Sequence, residues 1–124
     1  MSRVKAAKRA RWRPSKTKGV MNATEKRFES SVLRTLQLTG EISSWQYEPA
    51  KWRYGTDFKA TYTPDFMVLR ADGMIEMIDV KGSGGWEAAT RNKIKACAEK
   101  YPQFLWVGYT EDRKRRSNFA REEF

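Results

Sequence analysis

Apolar positions along this chain recur with two different periods, and the changes between them mark out the elements. Phe28, Val32, Leu33 and Leu36 recur at three- and four-residue spacing, the stripe of an amphipathic helix. Asn22 predicts its cap, with Glu25 reaching back from the third position, and Gly40 predicts its end. Ile42 to Glu48 and Trp52 to Tyr54 predict strands, interrupted at Glu48-Pro49. Thr61 to Leu69 and Met74 to Val80 are apolar and β-branched runs joined by Ala71-Asp72-Gly73, and Asp-Gly between such runs signals a hairpin. Gly82-Ser83-Gly84-Gly85 predicts a permissive loop, Trp86 to Tyr101 a helix stopped by Pro102, and Phe104 to Tyr109 a short strand. Arg113 to Phe124 predicts a weak helix or disorder. The predicted order is helix, three strands, helix, strand.

Two short strings carry the chemistry. Thr63-Pro64-Asp65 and Asp79-Val80-Lys81 fall on the two arms of the predicted hairpin, so Asp65 and Asp79 meet at one end of adjacent strands. Side chains alternate along a strand, which points Asp79 and Lys81 one way and Val80 into the core. A carboxylate amid apolar strand residues is costly unless it is paired or bound to a metal. Two carboxylates with a neighbouring ammonium suit a hard divalent cation such as Mg2+ and an anionic phosphate. Neutralisation of Asp79 by Lys81 is the simpler alternative. Glu25 falls on the sheet-facing side of the first helix with Phe28, Glu29, Val32 and Leu36, near the strand ends, and it is also the natural capping partner of Asn22. Glu29, one turn on, is the alternative helix ligand, and Glu48 a candidate outer-sphere group. Glu76 alternates onto the opposite face from Asp79, and the five tryptophans read as core or interface.

Pro64-Asp65, thirteen residues, then Asp79-Val80-Lys81 resembles the PD-(D/E)XK nuclease superfamily, and within it the small phage-type endonucleases related to endonuclease I and Holliday-junction resolvases. Asn22-Ala23-Thr24-Glu25 ahead of an amphipathic helix resembles the opening of that group, over residues 21–110 in all. The resemblance implies an α/β, restriction-endonuclease-like core: helix, three-strand meander, helix and strand around a mixed sheet flanked by helices. It implies a Mg2+- or Mn2+-dependent endodeoxyribonuclease whose helix glutamate, Glu25, completes a metal site with Asp65, Asp79 and the Val80 carbonyl, while Lys81 assists catalysis. Phage DNA processing, selectivity for junctions or flaps, and a homodimer that supplies two cuts are further implications.

Composition narrows the alternatives. The chain has 124 residues, no histidine and one cysteine, Cys97. That excludes His-metal nuclease motifs, Ser-His and Cys-His triads, a disulfide framework and Cys-based zinc sites. Nothing in the sequence suggests an organic cofactor. No secretory h-region or long apolar run appears, so the sequence predicts a cytoplasmic protein with no membrane partner. Charge is uneven: residues 1–18 hold eight basic residues and no acidic one, in a chain of formal charge +10. Arg3, Lys5, Lys8, Arg9, Arg11, Arg13, Lys16 and Lys18 thus make residues 1–20 a basic, flexible-looking arm suited to DNA phosphates, with a solubilising tail as the plainer alternative. Residues 111–124 form a basic C-terminal tail. Lys93 and Lys95 could reach phosphate, although a solvated helix face explains them equally well. A non-catalytic nucleic-acid-binding module and a recombination subunit needing a partner are the competing readings.

Overall fold

The structure is a computed structural model that describes residues 19–124. Its first helix starts where the capping chemistry says it should. Asn22 Oδ1 accepts from Glu25 N at 2.8 Å, and Glu25 Oε1 accepts from Asn22 N at 3.0 Å. This helix, α1, runs as Ala23–Phe28, a π-helical turn Glu29–Leu33, and Arg34–Leu38. In the π turn Arg34 N–H donates to the Glu29 carbonyl five residues back. The same spacing puts Phe28 and Leu33, both fully buried, on one face. Gly40, at φ +83°, then turns the chain out of the helix, a conformation that a side chain would strain.

Seven strands and one more helix follow: β1 Ile42–Tyr47, β2 Trp52–Arg53, β3 Thr61–Tyr62, β4 Phe66–Arg70, β5 Ile75–Lys81, α2 Ala88–Lys100, β6 Leu105–Glu111 and β7 Phe119–Glu123. Five of the strands form a mixed sheet in the order β1-β4-β5-β6-β7, and among the described residues β2 pairs only with β3. All neighbours are antiparallel except β5 and β6, which α2 connects in parallel. Residues alternate between two cores. Phe66, Val68, Ile78, Val80, Val107 and Tyr109 pack with α1 on one face. Met77 and Trp106 pack with Ile94 and Cys97 of α2 on the other. The central strands are therefore buried on both faces, which suits the α/β architecture.

Two expectations need correction. The run Thr61 to Leu69 is two strands, because the chain breaks at Pro64, which has no N–H to offer a ladder, and Thr61–Tyr62 pairs with β2 instead. The segment Arg113 to Phe124 is neither helical nor disordered. Asp112 and Asn118 close a turn, and β7 adds to the sheet edge with Glu111 opposite Phe119. Its charges hid it from a hydrophobic reading. Arg121 reaches the buried Glu76 at 3.3 Å, Glu122 pairs with Arg91, and Phe119 packs edge-on against Phe28. Among the described residues no helix is long and apolar enough to cross a membrane.

Candidate functional site

The β4–β5 register sets the geometry of the predicted centre. Phe66 lies opposite Ile78, so Asp65 and Asp79 occupy the next positions at the same sheet end. Both carboxylates are buried, at 8% and 4% exposure. Asp65 Oδ2 accepts from Val80 N at 2.8 Å. The N–H and C=O of a strand residue point to the same side, so the Val80 carbonyl also faces Asp65. Asp79 Oδ1 accepts from the Tyr62 hydroxyl at 2.6 Å. Its Oδ2 lies 3.3 Å from Lys81 Nζ without hydrogen-bond alignment, and has no hydrogen-bond partner among the described residues. Tyr62 is the group the sequence did not point to. It stands on β3, outside the main sheet, and only the fold brings it over Asp79. Burial, and then the Asp79 charge, push its phenol well above the usual tyrosine range, so it stays a donor.

Glu25 approaches the same end from the other side of the sheet. It is 2% exposed and its Oε1 accepts from the Tyr47 hydroxyl at 2.8 Å as well as from Asn22 N. Tyr47 ends β1 opposite Phe66, so Glu25 sits behind the β1–β4 edge. A Cβ added to Gly82 would lie 3.9 Å from Thr24 Oγ1, which puts the start of α1 beside the end of β5. The capping reading of Glu25 is thus realised, with its carboxylate held near the strand ends. Glu29 is turned elsewhere, its Oε2 accepting from Trp45 Nε1 at 2.9 Å. Glu48 accepts from Gly19 N at 2.9 Å, and its own N–H donates to the Asp65 carbonyl at 2.7 Å, tying the turn after β1 to the site.

Trp86 forms the outer wall, a role its sequence position did not announce. Its ring lies across Gly108, where an added Cβ would come within 2.5 Å of the indole. Gly108 is opposite Asp79 in the parallel ladder, and Thr110 is opposite Lys81. Trp86 Nε1 donates to Thr110 Oγ1 at 2.8 Å, and Lys81 Nζ lies 5.6 Å from the ring centroid. Arg91 sits over the same ring and over Phe124. Lys93 and Lys95 are exposed on α2. The predicted contacts at Arg3, Lys5, Lys8, Arg9, Arg11, Arg13, Lys16 and Lys18 lie outside the described residues.

The family described as Protein of unknown function (DUF1064) matches residues 22–110, from the α1 cap to Thr110 in β6, and so covers both strands of the candidate site. The chain belongs to the DUF1064 family. No curated protein and no solved structure matches it.

The side chains of this DUF1064 chain limit how a divalent metal could be held. Among the described residues no three acidic, cysteine or histidine groups stand close enough to form a cage. Two carboxylates and a carbonyl remain: Asp65, Asp79 and Val80. Mg2+ commonly takes one or two carboxylates and fills its other positions with water and substrate phosphate, so this set suits it. The buried Asp79 Oδ2, beside the Lys81 ammonium but without a hydrogen-bond partner among the described residues, is the atom with capacity to spare. The residues fit a Mg2+ of that kind, with Glu25 held back by Asn22 and Tyr47.

Proposed function

We propose that this DUF1064 chain is a metal-dependent DNA endonuclease with a restriction-endonuclease-like core. The observation that supports it best is Asp79. A buried carboxylate oxygen with no hydrogen-bond partner among the described residues, and only the unaligned Lys81 ammonium 3.3 Å away, is expensive to maintain, and cation binding explains the expense. Asp65 and Asp79, with the Val80 carbonyl, would hold Mg2+, which when bound would lower the pKa of a water and polarise the phosphate. Tyr62 fixes one oxygen of Asp79 and leaves the other beside Lys81. The Val80 N–H fixes Asp65 in the same manner. Lys81, with its ammonium 3.3 Å from Asp79 and its side chain one-third exposed, is placed to orient a water and offset charge growing on the phosphate oxygens. Trp86 limits its travel.

A second reading, a nucleic-acid-binding module without catalysis, draws on Glu25: its oxygen already serves the helix cap and Tyr47. One experiment separates the two. Purified protein is incubated with plasmid, linear duplex, flap and four-way junction DNA in Mg2+, Mn2+ or EDTA, beside Asp79→Asn and Lys81→Ala variants. Metal-dependent cleavage that both variants lose supports the nuclease. Binding without cleavage of any substrate in either metal supports the module.

A further inference from the structure

Four consecutive basic residues, Arg113, Lys114, Arg115 and Arg116, form the tip of the β6–β7 hairpin, and all four are exposed. Their surroundings set them apart from four of the six other described arginines. Arg27 pairs with Glu111, Arg70 with Asp72 and Glu76, Arg91 with Glu122, and Arg121 with Glu76 and Glu123. None of the four tip residues has a carboxylate partner among the described residues. Arginines on α1, β4, α2 and β7 are thus paired, whereas four adjacent charges at this tip are not.

The tip is also built. Asp112 Oδ1 accepts from Lys114 N at 2.7 Å and from Arg115 N at 2.9 Å, and Asn118 N returns to the Arg115 carbonyl at 2.9 Å. Those two backbone donors hold the Asp112 carboxyl below its ordinary range, so the lock persists at neutral pH. Four charges on a locked turn lose less freedom on binding than four on a loose tail.

Its position follows from the ladder. β5 and β6 run parallel, with Lys81 opposite Thr110, so the chain leaving Glu111 emerges from the same sheet end as Asp65, Asp79 and Lys81. We infer that the β6–β7 tip is a phosphate clamp that grips the DNA backbone beside the scissile phosphate. Which phosphates it grips rests on the nuclease reading, whereas the grip itself does not. Contacts of this kind position the duplex without reading its sequence.

The test measures binding of a fluorescent duplex over a range of salt concentrations with Ca2+ in place of Mg2+, so that no turnover is needed. Full-length wild type is compared with a variant carrying Arg113→Gln, Lys114→Gln, Arg115→Gln and Arg116→Gln. If all four contact phosphate, the slope of log affinity against log salt falls by up to about 3.6, and a loss of at least about 1 is expected. The matched pair Arg115→Gln/Arg116→Gln should lose more slope than Arg34→Gln/Lys100→Gln, whose charges lie at the far end of the sheet. Equal slopes for wild type and the fourfold variant, or equal losses from the two double variants, would overturn the clamp. A duplex neutralised one phosphate at a time with methylphosphonates locates the contacts. The phosphates to which the fourfold variant has become insensitive should flank the cut site if the wild type cleaves. A wild type that never cleaves but still shows the slope loss sinks the nuclease and leaves the clamp standing.

Discussion

Replacing Tyr62 with phenylalanine removes one hydroxyl and nothing else, from a position where that hydroxyl has one known duty. It donates to Asp79 Oδ1 at 2.6 Å inside a region where Asp79 is 4% exposed and its other oxygen lacks a hydrogen-bond partner. A hydrogen bond to a charged group contributes about 2 kcal/mol, and its loss leaves Lys81 as the carboxylate's remaining neighbour. For a domain of this size that corresponds to a fall in Tm of about 8 °C. The assay is thermal unfolding followed by tryptophan fluorescence at pH 7 in EDTA, repeated in millimolar Mg2+. Added Mg2+ should narrow the gap between Tyr62→Phe and wild type, since a cation replaces part of what the hydroxyl supplied. High pH gives an independent check. The folded phenol titrates well above the unfolded one, so its contribution is complete below about pH 10 and is lost as pH rises beyond that, when the unfolded chain ionises first. Wild-type stability should therefore fall more steeply above pH 10 than that of the variant. A variant with wild-type Tm in EDTA would refute the claim that Tyr62 supports a buried carboxylate.

Three further outcomes are expected. Asp65→Ala leaves the buried Val80 N–H without its acceptor and should cost about 1–3 kcal/mol in urea unfolding, while Asp65→Asn, which keeps an acceptor oxygen, should cost less than about 1; equal losses would show that the Val80 bond contributes nothing. Cys97 is buried in α2 with its thiol pushed up to about 11, so a thiol reagent at pH 8 should modify it only at the rate of global opening, and immediate modification of the native protein would contradict the packing. If the chain cleaves DNA, Trp86→Leu should lower kcat about tenfold with KM unchanged, and Trp86→Phe should recover most of it, because Lys81 needs a ring face to rest on; a change confined to KM would place Trp86 in substrate binding instead.

Local signals in the sequence located both ends of α1, the Asp-Gly hairpin and α2 because each rests on chemistry within a few residues: a capping box, a turn dipeptide, a stopping proline. The meeting of Asp65 with Asp79 was legible for the same reason, since a hairpin register is a local matter. What escaped depends on distant pairing. Tyr62 reaches Asp79 only because β3 leaves the main sheet at Pro64 and folds back with β2. β7 was hidden because Arg121 and Glu122 find opposite charges on β5 and α2, so ion pairs on an exposed edge strand replaced the apolar alternation that marks a strand. Glu25 was placed at the correct end of the sheet, but strand alternation does not say which face a helix will cover. That α1 covers the sheet face shared by Ile78 and Val80, opposite the face with Met77, was therefore out of reach.

Gly108 carries a consequence for how this sequence can drift. Any side chain there would collide with Trp86, and that ring is what Lys81 leans on. Substitution at 108 is therefore tolerable chiefly in chains where residue 86 has already shrunk, and a chain with a small residue at 86 has no ring left to steady an ammonium at 81. The three positions form a linked set across two strands and a loop, in which the first change closes off the ancestral combination. Relatives within DUF1064 should fall into two groups, those with glycine, tryptophan and lysine together and those that have replaced more than one of the three.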